Sequence, residues 1–411
     1  MRTAQIIKKI VLSSIMIVAG TAIILLTGCQ KSHHDQSSYS IETIDRVKYI
    51  HNFGPQSDSS SKASLKLLGQ IGKLEAKKEE DLLYEPADAA RLPNGDILIL
   101  ERGSCTVKRY SEDYEYISSF GQKGRGPGDF LSPFCLRLSE EKLYVADYSL
   151  SIFSIEGEYE GGFKPERIGG SWIHDQYRNS GMTVLSGSRV VLPSHPSIWV
   201  DSGDSKLLSM YGKKGTLIRS FGTPKKYENS LLMLNANIFY FDKDSTGHIY
   251  VAFRHQNRID KYSTDGELIF SADRPLAYEV KNITKYELFK SGDKEIKIPW
   301  PSVSSVTKGI GIDNKNRVWV LTYLKQPNKL LTFDEGENLT ECYEFNVFDS
   351  NGILLFNVSF PNVMFDKFSI YDDRVYLIDS QNESCVYEYK IVETIRNSGG
   401  RARASLLESI K

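Results

Sequence analysis

Six times along the chain a polar turn residue leads into a short run of apolar, β-favouring residues. The copies are Asp96-Ile97-Leu98-Ile99-Leu100, Lys142-Leu143-Tyr144-Val145-Ala146, Arg189-Val190-Val191-Leu192, His248-Ile249-Tyr250-Val251-Ala252, Arg317-Val318-Trp319-Val320-Leu321 and Arg374-Val375-Tyr376-Leu377-Ile378. They recur at roughly 45 to 70 residues, enough for one small antiparallel sheet each. Most are preceded by another apolar strand, as at Ile238-Phe239-Tyr240-Phe241 and Ile310-Gly311-Ile312-Asp313. Most are followed by a hairpin with glycine in its turn: Gly157, Gly215, Gly266 and Gly352 mark these, and Asp265-Gly266 and Asn351-Gly352 are strong two-residue turn signals. The pattern predicts an all-β protein, a six-bladed β-propeller of four-stranded antiparallel blades. A four-stranded blade has two apolar faces and cannot cover both alone, so each packs on a neighbour until the circle closes. A β-sandwich uses similar strands but does not predict six such repeats.

Between the first two sheets lies Phe120 to Asp147, FGQKGRGPGDFLSPFCLRLSEEKLYVAD. Gly121, Gly124, Gly126 and Gly128 permit turn conformations, Pro127 and Pro133 fix φ, and Phe130 and Phe134 supply apolar anchors, so the segment reads as a shaped joint between blades. Gly124, Gly126, Pro127, Gly128, Phe130 and Pro133, with the following Leu143-Tyr144-Val145-Ala146-Asp147, resemble the NHL repeat. Tyr148 to Phe153 keeps that repeat's next strand but lacks its Arg.

The N-terminus carries an address. Arg2, Lys8 and Lys9 precede an apolar run from Ile10 to Leu26 that ends in Leu26-Thr27-Gly28-Cys29, the pattern of a lipoprotein signal peptide over residues 1–28. On this reading Cys29 is the lipid attachment residue, and acyl chains tie the mature protein to a membrane. The alternative is an uncleaved anchor, since a run of about 17 apolar residues approaches spanning length. Gln30, where many lipoproteins held at an inner membrane carry Asp, points to the outer membrane, on its periplasmic or cell-surface side. Residues 29–40 are expected to be a flexible tether, 41–396 the propeller and 397–411 a polar C-terminal tail. Within 39–74, one short apolar run, such as Leu65-Lys66-Leu67-Leu68, is expected to pair with the last blade and close the ring. With this leader the whole chain resembles the six-bladed, TolB-like propeller lipoproteins of Bacteroidetes, which implies a fold and no particular chemistry.

Composition supports β structure: 23 Tyr and 19 Phe suit half-buried pleated surfaces. A net charge of -1 over 411 residues gives no field that would gather nucleic acid, so a nucleic-acid partner is not expected. No Walker loop, HExxH, GxSxG or CxxC motif occurs, and no cofactor or metal site is expected. The adjacent His33 and His34 lack a third ligand in the tether. Asp242 to Gly247 reads as a hairpin turn rather than a calcium loop, and Glu101, Asp147 and Asp379, at strand ends, as caps for neighbouring loop amides. Cys105, Cys135, Cys342 and Cys385 read as buried thiols, with a bridge between Cys342 and Cys385 left open.

Two function classes survive: a noncatalytic binding or scaffold propeller for a glycan, peptide or protein partner, and a propeller hydrolase or lyase with an active site at the channel mouth. In a propeller, loops after the second strand of each blade and loops between blades emerge on one face. That places Trp172, His174, Trp199, Arg254, His255, Trp300 and Tyr323 as candidate ligand-binding residues around one channel mouth. The competing reading has each Trp anchoring its own loop. The sequence favours binding, because no catalytic constellation is legible.

Overall fold

The six repeated phrases are the second strands of six blades, Ile97–Glu101, Lys142–Ala146, Arg189–Pro193, Ile249–Phe253, Val318–Tyr323 and Arg374–Asp379. Nearly every residue in them is buried, because each is covered on both faces by neighbouring blades, and this is why they read as continuous apolar runs rather than alternating ones. The computed structural model describes residues 37–56, 61–73, 78–165, 181–194, 205–291, 294–327 and 337–395. It forms a six-bladed β-propeller with all blades four-stranded and antiparallel, five of them at 86–120, 135–163, 183–221, 239–272 and 307–359.

The sixth blade joins the two ends of the chain. Lys367–Tyr371, Arg374–Asp379 and Cys385–Ile395 supply three strands, and Ser61–Ile71 supplies the outermost, running antiparallel to Cys385–Ile395 from Val386 opposite Ile71 to Ile395 opposite Ser61. The apolar run around Leu65 thus closes the ring, as its sequence suggested. A second N-terminal element was not foreseen. The hairpin Tyr39–Ile44 and Val47–Asn52 extends blade four, with Val47–Asn52 lying parallel to the outer strand Leu268–Ala272. Tyr39 and Ser40, expected in the tether, are already strand.

The hairpin glycines do two jobs. Gly157, Gly215, Gly266 and Gly352 have φ of 90°, 78°, 80° and 84°, the left-handed region that favours glycine. Each also lies against the phenylalanine of the preceding blade's outer strand: a Cβ on Gly157 would sit 2.5 Å from Phe120, on Gly215 2.7 Å from Phe163, on Gly266 2.5 Å from Phe221 and on Gly352 2.7 Å from Phe270. One residue type therefore makes the turn and admits the interblade contact.

Between blades four and five the chain forms a ribbon, Asn282–Ser291 paired with Lys294–Val303, which packs on the helix Ser230–Ala236. The four thiols Cys105, Cys135, Cys342 and Cys385 are buried and free, so no bridge joins Cys342 to Cys385.

Candidate binding site at the channel mouth

The innermost strands Pro86–Arg91, Cys135–Ser139, Thr183–Leu185, Phe239–Lys243, Thr307–Ile312 and Lys367–Tyr371 surround the central channel. At its waist the buried Asp88 carboxylate accepts from Arg137 at 2.7 Å, from the Leu136 amide at 3.1 Å and lies 2.8 Å from the Lys367 amine. Burial pulls the Asp88 carboxyl up, but Lys367 and Arg137 outweigh it and hold the group below the usual carboxylate range. Two cations thus share one anion. Asp242, further along, is pushed up by burial, which Arg137 only partly offsets.

The channel opens at both ends. At the end made by the first turn of each blade, a cavity of about 240 Å³ is bordered by Asp244, Asp313, Asn316 and Asp372. Asp244 Oδ1 accepts from the Thr246 and His248 amides, so 242–247 is the hairpin turn its sequence suggested. Asp147 likewise accepts from the Leu131 and Ser132 amides, Glu101 from the Tyr84 amide, and Asp379 from the Gln381, Asn382 and Glu383 amides. All three acids fix loops.

The other end, where blades connect, is different in charge. A cavity of about 30 Å³ is lined there by Arg137, Gly181, Tyr240, Lys308, Asp366 and Lys367. Arg254, leaving the second strand of blade four, accepts at its carbonyl the Val306 and Thr307 amides at 2.8 and 3.1 Å, which fixes it beside the start of the strand that carries Lys308. Its side chain is buried, interacts with the Tyr323 hydroxyl and with Tyr240, and leaves Nε without a hydrogen-bond partner in the protein. Tyr323 packs on Tyr343 with ring centroids 5.0 Å apart, and Tyr343 on Phe365 at 5.5 Å, a rigid aromatic wall behind the cations. Lys308 Nζ lies 5.5 Å from the centre of the Phe365 ring. Burial, reinforced by repulsion from Arg254 and only partly opposed by Asp366, lowers the Lys308 amine to about 8. Asp366 itself accepts from the Ser380 amide and hydroxyl at 2.8 and 2.6 Å.

Of the residues expected at this mouth, Arg254 and Tyr323 come together behind its lining, buried beside Tyr240, with Arg254 also beside Lys308, and neither borders the cavity itself. His255 does not face the channel. It is buried, with Nδ1 donating to the Ser304 carbonyl at 2.7 Å, because consecutive residues leaving a strand point to opposite sides. Trp300 stands on the ribbon opposite Lys285, half exposed and away from the cavity lining. Trp172, His174 and Trp199 lie outside the described residues. Lys308, Tyr240, Arg137 and Lys367 were missed, although Lys308 and Arg137 interrupt apolar first strands and Lys367 opens one; Tyr240 was read only as part of an apolar run.

A further cavity, about 500 Å³, lies beside blade four between the N-terminal hairpin and residues 225–227 and 256–258. Several of its polar side chains are already matched: His51 to Asp273, Asn257 to the Arg274 backbone, Arg258 to Asp260 and Asn282 to the Ser304 amide. Among the described residues, no three His, Cys, Asp or Glu side chains gather as a metal site.

No family model matches the chain, and no curated protein is similar to it. Among solved structures it is similar to a member of the duf4221 family from Bacteroides vulgatus, with 11% identity over 81% of this chain and 99% of that one and a TM-score of 0.52. A Bacteroides fragilis protein matches at 11% identity over 82% and 98%, TM-score 0.49. The virginiamycin B lyase of Staphylococcus aureus matches at 10% over 81% and 100%, TM-score 0.44. At these identities the likeness is one of fold alone.

Proposed function

We propose that this chain is a noncatalytic, lipid-anchored binding propeller of the cell envelope that takes part of a glycan, peptide or protein partner at the interblade mouth of its channel. The observation that supports the mouth is the convergence of Arg254, Tyr323, Tyr240 and Lys308, polar groups from blades four and five at one end of the axis. The anchor rests on the basic, apolar and Leu-Thr-Gly-Cys order of the leader and on Cys29; Gln30 and the resemblance to propeller lipoproteins favour the outer membrane. A Cys29→Ala variant should lose processing and membrane attachment on cell fractionation. If it remains processed and membrane-bound like the parent, the lipoprotein reading is wrong.

A second reading has one observation in its favour. An amine lowered to about 8 is partly neutral near physiological pH, so Lys308 could serve as the base of a lyase or hydrolase. Screening the protein on glycan and peptide arrays, then incubating each hit and analysing it by mass spectrometry, separates the two. Hits returned intact that lose binding in Arg254→Gln support a binding propeller. Hits returned cleaved overturn it in favour of the enzyme, and hits indifferent to Arg254 place the partner elsewhere.

A further inference from the structure

We propose that the channel mouth holds a carboxylate group of its ligand against the Lys308 amine, with the Arg254 guanidinium behind it. The proposal rests on the mouth being the binding site and names the chemistry recognised there.

The charge balance of the channel carries the argument. Arg137 and Lys367 share the single Asp88 carboxylate, at 2.7 and 2.8 Å, which leaves one positive charge in surplus at the waist. Asp366 accepts from the neutral Ser380 amide and hydroxyl and sets one negative charge against these cations. Lys308 and Arg254 remain, and neither forms a salt bridge among the described residues; their interactions run to aromatic rings, tyrosine hydroxyls and each other, and for Lys308 to Asp366, which only partly offsets its charge. Two like charges placed side by side in a partly dehydrated site repel, and a buried guanidinium nitrogen without a partner is a rare and unfavourable feature. Both penalties are relieved by one anion. Its size is limited by the cavity, about 30 Å³, which admits a small head group and leaves the ligand's body in the channel outside. Its charge is limited by Asp366 and Asp88 nearby, which oppose a dianion more than a monoanion. A carboxylate meets both limits, accepting from the Lys308 amine with the Arg254 charge behind it.

The same chemistry occurs on acidic sugars and on amino-acid derivatives, so both serve as probes. The purified full-length protein is titrated by calorimetry and thermal shift with D-glucuronate and N-acetylglycine, with D-glucose and N-acetylglycinamide as neutral counterparts and with inorganic phosphate. The expected result is saturable stabilisation by at least one carboxylate and none by its neutral counterpart, weakened roughly tenfold or more in Lys308→Met. Affinity should also fall as pH rises above about 8, where the amine discharges. Glucuronate binding alone assigns an acidic sugar, and N-acetylglycine binding alone an acidic peptide terminus. If Lys308→Met does not fold, Lys308→Gln and the pH profile of the parent carry the same test. Saturable binding unchanged in the Lys308 variants, tighter binding of phosphate, or no response to either carboxylate overturns the proposal. A neutral array hit that depends on Arg254 and ignores Lys308 would leave the binding mouth standing and remove only the carboxylate.

Discussion

Replacing His255 by Asn isolates one buried imidazole whose role is to hold the mouth's outer loop. In the parent, Nδ1 donates to the Ser304 carbonyl at 2.7 Å, and the side-chain amide of Asn can occupy nearly the same donor position. The imidazole is lowered to about 3, first by burial and then by repulsion from Arg254, with the Ser304 bond opposing. In the unfolded chain it titrates near 6.5. The folded state therefore binds fewer protons than the unfolded state between these values. Stability from this group is complete above 6.5 and is lost progressively as pH falls toward 3. At pH 5 the unfolded form is favoured by about 1.5 pH units of proton uptake, which is about 2 kcal/mol. For a ring of this size that corresponds to roughly 3 °C in melting temperature. Denaturant melts of parent and His255→Asn at pH 7 and pH 5 give the measurement. The variant loses ring packing at both pH values, but the gap between the two proteins should narrow by about 2 kcal/mol at pH 5. A gap that stays constant would mean that His255 is not kept neutral by burial beside Arg254.

Four further outcomes are expected. Lys308→Met should raise stability at pH 7, because below about 8 the charged amine is present in both states and penalises only the folded one; discounted for partial exposure, the gain is roughly 1 to 2 kcal/mol in the unliganded protein, and a loss would show that the lysine is structural. Gly266→Ala should lower stability by roughly 2 to 4 kcal/mol in denaturant melts, combining a positive φ with a Cβ 2.5 Å from Phe221, whereas Gly187→Ala, also at positive φ but with no neighbour within 4 Å, should show only the smaller backbone part. Removing residues 1–74 strips the Ser61–Ile71 strand from Cys385–Ile395 and should cause aggregation or loss of cooperative melting, and unchanged cooperative melting would refute closure by that strand. Replacing 283–302 by a short Gly-Ser turn removes seven large apolar side chains that are 42% to 64% exposed, and the melting temperature of the ring should move by no more than a degree or two.

The ring was legible because its physics is repetitive. Second strands covered on both faces must be apolar throughout, and outer hairpins need glycine, so the six phrases and Gly157, Gly215, Gly266 and Gly352 appear directly in the chain. The hairpin on blade four was not, because Val47–Asn52 pairs in parallel with a strand more than 200 residues away through three positions, a contact with no local signature. The mouth was half legible. Loops can be assigned to a face from the order of strands, which located Arg254 and Tyr323, but whether Arg254 or His255 turns inward depends on a backbone direction set by Ser304 to Thr307. Attention to tryptophan led to Trp300, whose ribbon carries it away from the axis. The missed signal was charge within first strands: Asp88, Arg137, Asp242 and Lys308 stand inside inner strands and Lys367 opens one.

The channel contains its own control for the meaning of those charges. At Asp88 one carboxylate receives two cations and a backbone amide, so this fold can place a counterion on the axis. Around Val306 to Lys308 it does not. Arg274, buried between blades four and five, donates to Thr307 Oγ1 at 2.7 Å and to the Val306 carbonyl at 3.3 Å, yet leaves Nε and Nη1 without partners, and burial lowers it to about 10. Arg254 leaves Nε unpartnered, and Lys308 is lowered by Arg254 beside it. Three cations therefore border a three-residue segment, and none has a carboxylate in ion-pair contact among the described residues. An apolar replacement at any of them would relieve repulsion and dehydration, the usual result when buried charge has no stabilising role. Keeping Lys308 and Arg254 beside the mouth with Arg274 close behind, while the waist cations at least share the Asp88 carboxylate, is the arrangement expected of a site whose counterion arrives with the ligand.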